Sequence, residues 1–188
     1  AIAIFTVAAA AMVLMASAAM AGEISASITK IKGDVQVQAP DMEWETAADK
    51  ATLGAGTQVK TGPDGSATLV WGDGNALKLG PLSVITIDEL SLDKAGGKSV
   101  SDFSMKQGKV LALAQKMRTK DSAFNVKTPV ATAGVRGTAF ECNLPPDQPT
   151  QFTASVVGGE IMVQSQGVEV AVSVGLEVAV TMGQPPAE

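Results

Sequence analysis

Glycine- and proline-bearing turn signals recur roughly every eight to fifteen residues from Gly22 onward, and the runs between them are short and alternate apolar with polar side chains. That spacing leaves little room for long helices and predicts an all-β chain. Ile24-Ser-Ala-Ser-Ile28 runs on to Lys30-Ile-Lys32, and Val35-Gln-Val37 follows Gly33-Asp34, a strand, a turn and a second strand of period two. Thr57–Thr61 and Ala67–Trp71 flank Gly62-Pro-Asp-Gly65, where Pro63 presets φ and Asp-Gly tolerates the turn. Ala76–Leu79 and Ser83–Ile87 continue the pattern through Gly72-Asp-Gly-Asn75 and Gly80-Pro81. A weak repeat, Gly-x-Val/Ile-x-apolar, appears at Gly33-Asp-Val-Gln-Val37, Gly108-Lys-Val-Leu-Ala112 and Gly159-Glu-Ile-Met-Val163. Short units of this kind, with no crossover helices, predict a single domain of short stacked strands in a β-roll or β-solenoid-like sandwich.

Other stretches carry less definite expectations. Asp88–Gln107, with Lys94-Ala-Gly-Gly-Lys98 inside it, reads as an exposed hairpin or loop, and Lys109–Arg118 reads as β despite a fair helix propensity. Leu144-Pro-Pro-Asp-Gln-Pro149 interrupts the ladder, because proline has no N–H to donate, and Phe152–Val157 resumes it. Val168–Val174 and Leu176–Met182 are near-identical alternating strands around Gly175, either a terminal hairpin or consecutive rungs. Trp44 and Trp71 are expected to fill the core between strands.

Composition removes most enzyme chemistries. The chain of 188 residues has no histidine and one cysteine, Cys142, so His-based acid–base pairs, Ser-His or Cys-His nucleophiles and Cys/His zinc sites cannot be built from it. Cys142 reads as a small packed residue near a strand end. Asp73 and Asp88-Glu89 are the carboxylates nearest to a pair, yet each falls at an expected turn, and Gly72-Asp-Gly-Asn75 lacks the further ligands that calcium needs. No catalytic residue, metal site or cofactor is expected. A net charge of −5 with scattered lysines offers no basic stripe for phosphates, which argues against nucleic acid.

The stretch Lys127-Thr-Pro-Val-Ala-Thr-Ala-Gly-Val-Arg-Gly-Thr-Ala-Phe140 is the most distinctive. It reads as a strand, a tight turn and a second strand: Pro129 pushes Thr128 toward extended geometry, and Gly134 and Gly137 bracket Val135-Arg136 where a backbone without a side chain bends or packs closely. Arg136 is then held on a constrained corner, bonding carbonyls across the turn or facing an acidic partner. Taken from Phe124 to Phe140, this run resembles the signature of FecR domains. Gly33-Asp-Val-Gln-Val37, Trp44 with Ala47, Leu53-Gly-Ala-Gly-Thr-Gln-Val-Lys-Thr-Gly62, Gly65-Ser-Ala-Thr-Leu69, Asp73-Gly74, Leu79-Gly-Pro-Leu-Ser83 and Gly108-Lys-Val110 fall in the order that family shows, so the resemblance covers roughly Ile28 to Gln164. It marks Thr128, Pro129, Gly134, Val135, Gly137, Thr138 and Phe140 as the structural signature and Arg136 as the candidate binding residue. It also implies surface signalling, in which a membrane-spanning regulator meets an outer-membrane receptor outside and a sigma factor inside; these residues resemble the outer part.

Ala1–Gly22 is uncharged, and its Ala16-Ser-Ala18 and Ala19-Met-Ala21 match small-x-small cleavage sites. The expected organisation is a signal peptide over 1–21, with a membrane anchor as the alternative, a β domain over 22–182 and a flexible tail over 183–188. The leading expectation is a noncatalytic binding or scaffold module exported to the periplasm or cell exterior, with an envelope protein or glycan as partner and no membrane contact once the leader is removed. Two alternatives stand beside it: the sensory part of a transmembrane sigma-factor regulator, and a structural protein that assembles through its strand edges.

Overall fold

The computed structural model describes residues 22–187 with the exception of Asp73, Lys94, Gly96 and Arg136; the leader read over Ala1–Ala21 lies outside them. Seventeen strands, β1 to β17 in chain order, are hydrogen-bonded into two sheets, and the described residues contain no helix. The first sheet runs in the order β4 (Glu45–Thr46), β3 (Val35–Gln38), β6 (Gln58–Thr61), β9 (Val84–Leu92), the first part of β10 (Ser99–Leu113), β11 (Ala123–Lys127), β12 (Thr132–Val135), β15 (Glu160–Ser165) and β16 (Val168–Ser173). The second runs β5 (Thr52–Leu53), β2 (Ala26–Lys32), β7 (Ser66–Trp71), β8 (Asn75–Leu79), the second part of β10, β13 (Ala139–Leu144), β14 (Gln151–Gly158) and β17 (Glu177–Thr181). The short β1 (Gly22–Glu23) lies against Ser91 and Leu92 of β9. Strand order follows chain order in both sheets except at the first rung, so the chain climbs a stack while passing from sheet to sheet. This is the stacked-strand sandwich expected from the turn spacing. Pairing is antiparallel throughout, save for the parallel β10–β11 pair.

β10 joins the sheets. Ser99–Gln107 pairs with β9, whereas Gly108–Leu113 pairs with β8 and β13. The strand therefore folds over at Gly108, whose φ is +101°. The three glycines that open the weak repeat share this duty: Gly33 (φ +62°) carries β2 into β3, Gly108 bends β10, and Gly159 (φ +85°) carries β14 into β15. Each is a crossing between sheets, where a left-handed backbone redirects the chain at no Cβ cost. The repeat is thus a repeated corner followed by an inward-facing alternation.

Between the sheets the side chains alternate in and out with period two, as in β13, where Phe140, Cys142 and Leu144 are buried. Ile28, Leu69, Leu77, Leu79, Ile85, Ile87, Phe103 and Phe152 are also fully buried, each worth about 1.5–3 kcal/mol relative to exposure. Of the two readings of Asp88–Gln107, exposed hairpin or loop, the structure gives the hairpin, and only its exposure is corrected. β9 and β10 continue through it, the turn occupies only 93–98, and Leu90, Phe103 and Met105 sit in the core. The reason is a bulge: the register shifts at Asp102/Phe103, so that Asp88 and Glu89 both face solvent and the alternation changes phase. Val168–Ser173 and Glu177–Thr181 are consecutive rungs in opposite sheets, not a hairpin.

Two buried hydroxyls tie the corners together. Ser83 Oγ donates to Gly80 O at 2.9 Å and lies 3.0 Å from Lys109 O, while accepting from Lys109 N at 3.1 Å. Thr61 Oγ1 donates to Gly80 O at 2.7 Å and accepts from Ser83 N at 2.9 Å. Three successive corners, at 62–65, 80–83 and 107–109, are joined by these bonds and by Leu82 N to Gly62 O at 3.1 Å. Ser83→Ala would strand Lys109 N and its neighbouring carbonyls in a buried place, at a cost of about 2 kcal/mol. A urea midpoint unchanged by this substitution, at constant m value, would show that the hydroxyl is dispensable.

Candidate functional site

The signature segment is a splice between the sheets. β11 and β12 form a hairpin in the first sheet, and its turn is Thr128–Ala131, stapled by Thr128 Oγ1, which donates to Ala131 O at 2.8 Å and accepts from Val130 N and Ala131 N at 3.2 and 3.0 Å. Pro129 is exposed at the tip of that turn. The chain then leaves β12 and enters β13 of the second sheet by way of Gly137, with φ +108°. A Cβ on Gly137 would lie 2.5 Å from Lys116 Cα, so the loop after β10 packs directly on this corner. Thr138 Oγ1 closes the corner by donating to Gly158 O at 2.5 Å.

Gly134 has a different duty. It sits inside β12, where a Cβ would lie 2.8 Å from Asn125 Oδ1 on β11. Asn125 in turn donates from Nδ2 to Asp102 at 2.9 Å, and Lys127 Nζ donates to the other oxygen of the same carboxylate at 2.6 Å. The Asp102 hydrogen bond and charge, supported by Asp88 and Glu89, raise the Lys127 ammonium above its usual pKa against a smaller opposing effect of burial. Inside the sandwich, Val135 and Phe140 are buried, and Phe124 and Phe140 meet edge to face at 6.0 Å. Arg136, the candidate binding residue, lies outside the described residues.

Beside the signature, midway along the stack, a cavity of about 470 Å³ opens under the loop after β10, lined by Trp71, Asn75, Ser101, Gln115, Arg118 and Phe124 among others. Several of its polar groups are engaged with one another. Trp71 Nε1 donates to Ser101 Oγ at 2.9 Å, and Asn75 Oδ1 accepts from Gln115 N at 2.8 Å. Among the described residues no buried side-chain polar atom lacks a partner, while Lys116 and Arg118, charged side chains lining this cavity, are exposed.

The remaining candidate residues are accounted for locally. Asp88 accepts from Ser104 Oγ at 2.7 Å and Glu89 from Ser91 Oγ at 2.9 Å, each at the bulge. Asp73 lies outside the described residues, and no cluster of three Cys, Asp or Glu side chains placed to hold a metal occurs among those described. Cys142 is wholly buried in the middle of β13, not at its end, and burial with the nearby Glu141 charge pushes its thiol far above the usual range. Trp71 fills the core as expected. Trp44 does not: it is only half-buried beside the two-residue β4, with Lys60 Nζ 4.6 Å from its ring centroid. It flanks β4, an edge strand that pairs with β3 alone among the described residues.

What remains exposed and unusual lies at the last rungs. Among the described residues, four of the nine large exposed apolar side chains, Val168, Val174, Leu176 and Met182, gather there. Sequence reading marked these strands as alternating but had no means of telling that they end the stack. The following segment is held in place: Gln184 O accepts from Ser165 Oγ at 2.9 Å, and Ala187 bridges Ala179 of β17.

The geometry of stacked rungs has counterparts among solved proteins. Two crystal structures of a candidate anti-sigma factor from Parabacteroides distasonis ATCC 8503, at 1.65 and 2.50 Å resolution, align with a TM-score of 0.53 each, at 15% and 16% sequence identity. The alignments cover 68% of this chain and 56% of that one, so the likeness spans little more than half of the solved protein and shows a shared fold. No curated protein matches the chain. The family model described as FecR protein matches residues 57–162, from the strand before the first proline corner to β15. That match takes in more than half of the sequence, the corners at Gly108 and Gly159 and the whole signature, and the chain belongs to the FecR family.

Proposed function

We propose that this chain is a noncatalytic, exported β module that binds a protein partner at the cell envelope, serving as the sensory part of a sigma-factor regulatory system. Family membership carries the reading, and likeness in fold to a candidate anti-sigma factor supports it. The chemistry of the chain agrees with it. The one thiol is buried, histidine is absent, and several polar groups around the cavity bond one another.

The test is transcriptional and biochemical together. In the native host, deletion of the coding sequence should change the output of a restricted set of promoters, and a photo-crosslinker at exposed Val168 or Val174 should trap one envelope protein. An unchanged transcript profile would overturn the regulatory part. Recovery of the protein from the cytoplasm alone, with residues 1–21 intact, would overturn export.

A further inference from the structure

Charge and strand pairing are both unevenly distributed along the stack. All 14 Lys and Arg residues occur at or before Arg136, whereas Glu141, Asp147, Glu160, Glu169, Glu177 and Glu188 all follow it. Glu141 is paired with Lys109 at 2.7 Å; Glu160, Glu169 and Glu177 are exposed and make no ion pair among the described residues. The last rungs, β14 to β17, therefore contribute carboxylates and no cation of their own.

The two ends are also finished differently. At the first rungs the outermost strands, β4 and β5, are two residues long, which blunts the edge. At the last rungs β17 is partly covered by the bridge to Ala187, but among the described residues β16 pairs with β15 alone and presents its other edge bare over Val168–Ser173. Val170 and Val172 on β16 lie on the inward row, with Val168 at 45% exposure at its end, while Glu169 points outward, as Glu160 does on β15. Glu160 and Glu169 border one shallow groove on the outer face of the first sheet, floored by Gly134 and Ala123, with Asp121 and a single cation, Lys120, also lining it, so carboxylates outnumber cations there.

We infer that the free edge of β16 binds an extended cationic segment of a partner protein by strand addition, with apolar residues continuing the Val168–Val172 row and Lys or Arg residues opposite Glu169. Main-chain hydrogen bonds supply the attachment, the apolar row covers the exposed lip, and cross-strand charge selects the sequence. A second copy of the chain is a poor occupant. Head-to-tail stacking would bring this end against first rungs where Asp41, Glu43, Glu45 and Asp49 stand among Lys30, Lys32, Lys50 and Lys60, with no excess of positive charge to meet the glutamates, and edge-to-edge pairing of two β16 strands would supply no cation opposite either Glu169. The inference rests on the binding-module reading above, but a purified-component assay tests it without reference to transcription.

The probes are two labelled peptides of alternating sequence, one Lys-Val and one Glu-Val, titrated into the purified full chain and followed by fluorescence anisotropy and amide hydrogen exchange. Saturable binding of the Lys-Val peptide alone, weakened about tenfold by the E160K/E169K double variant and unaffected by Glu45→Lys at the opposite end, is expected. New exchange protection should fall on Val168–Ser173. Failure of the Lys-Val peptide to bind, equal binding of both peptides, protection at another edge, or a dimer already protected at Val168–Ser173 before peptide is added would each overturn the inference. Thermal melts of the variants confirm that loss of binding is not loss of fold.

Discussion

Gly108→Ala should destabilise the domain by about 4 kcal/mol, a large fraction of the stability of an ordinary domain. Two costs combine. A φ of +101° is outside the range an L side chain adopts at ease, worth about 1–2 kcal/mol, and the new Cβ would fall on Ser83 Cα, Cβ and Oγ. Ser83 cannot step aside, because its hydroxyl and backbone hold Gly80, Lys109 and Thr61 together. Displacing it loosens three corners at once. The control is Gly167→Ala, with φ +76° and nothing within 4 Å of a new Cβ, which should cost about 1 kcal/mol from backbone conformation alone. Urea unfolding of both variants separates the terms, and equal shifts in midpoint would mean that the corner packing adds nothing.

The same corner shows how far the sequence could be read. Turn residues at Gly62-Pro-Asp-Gly65 and Gly80-Pro81 announced their bends because proline and glycine act through local sterics, and local sterics are visible in a string of residues. That Gly33, Gly108 and Gly159 all cross between sheets was only partly visible, as a repeat without an assigned cause. Strand pairing was not visible at all: β10 meets β8, β9, β11 and β13, partners chosen by packing at long range. The bulge at Asp88-Glu89 explains why the Asp88–Gln107 hairpin reads as exposed when its Leu90, Phe103 and Met105 are buried. A single extra residue changes the phase of alternation, so a continuous strand pair looks like a polar interruption.

For the candidate site, the sequence located the segment but not its geometry. Gly134 and Gly137 were read as flanks of one corner, whereas the structure gives the turn to Thr128–Ala131, a flat place on the sheet to Gly134 and the crossing to Gly137. The free edge at β16 was not legible as an edge, since the alternation of Val168–Ser173 is the same whether a strand has one neighbour or two. Its charge could have been noticed: no cation follows Arg136. Only the stacking order gives that fact a place on the molecule.

Trp71→Ala should cost about 3–5 kcal/mol, the range for removing a large buried aromatic. Trp71 is buried in β7 with its ring 5.0 Å from Phe103 and 5.6 Å from Phe124, and Phe124 continues to Phe140 at 6.0 Å. Phe124 and Phe140 are the two ends of the signature, so this cluster fastens the splice between sheets to the first half of the stack. Loss of the indole would open a cavity on both sides of that joint, next to the existing one. The indole also carries a hydrogen bond from Nε1 to Ser101 Oγ at 2.9 Å, in a buried setting where an unmet partner costs about 1–3 kcal/mol. Trp71→Phe keeps most of the ring and strands Ser101; Ser101→Ala keeps the indole and strands its N–H. The double variant removes both polar groups and should lose less than the two single losses summed, giving a coupling of about 1 kcal/mol or more. Half-exposed Trp44 remains in each variant as an internal fluorescence reference. If Trp71→Ala unfolds within about 1 kcal/mol of the parent, the aromatic cluster is not what holds the signature in register.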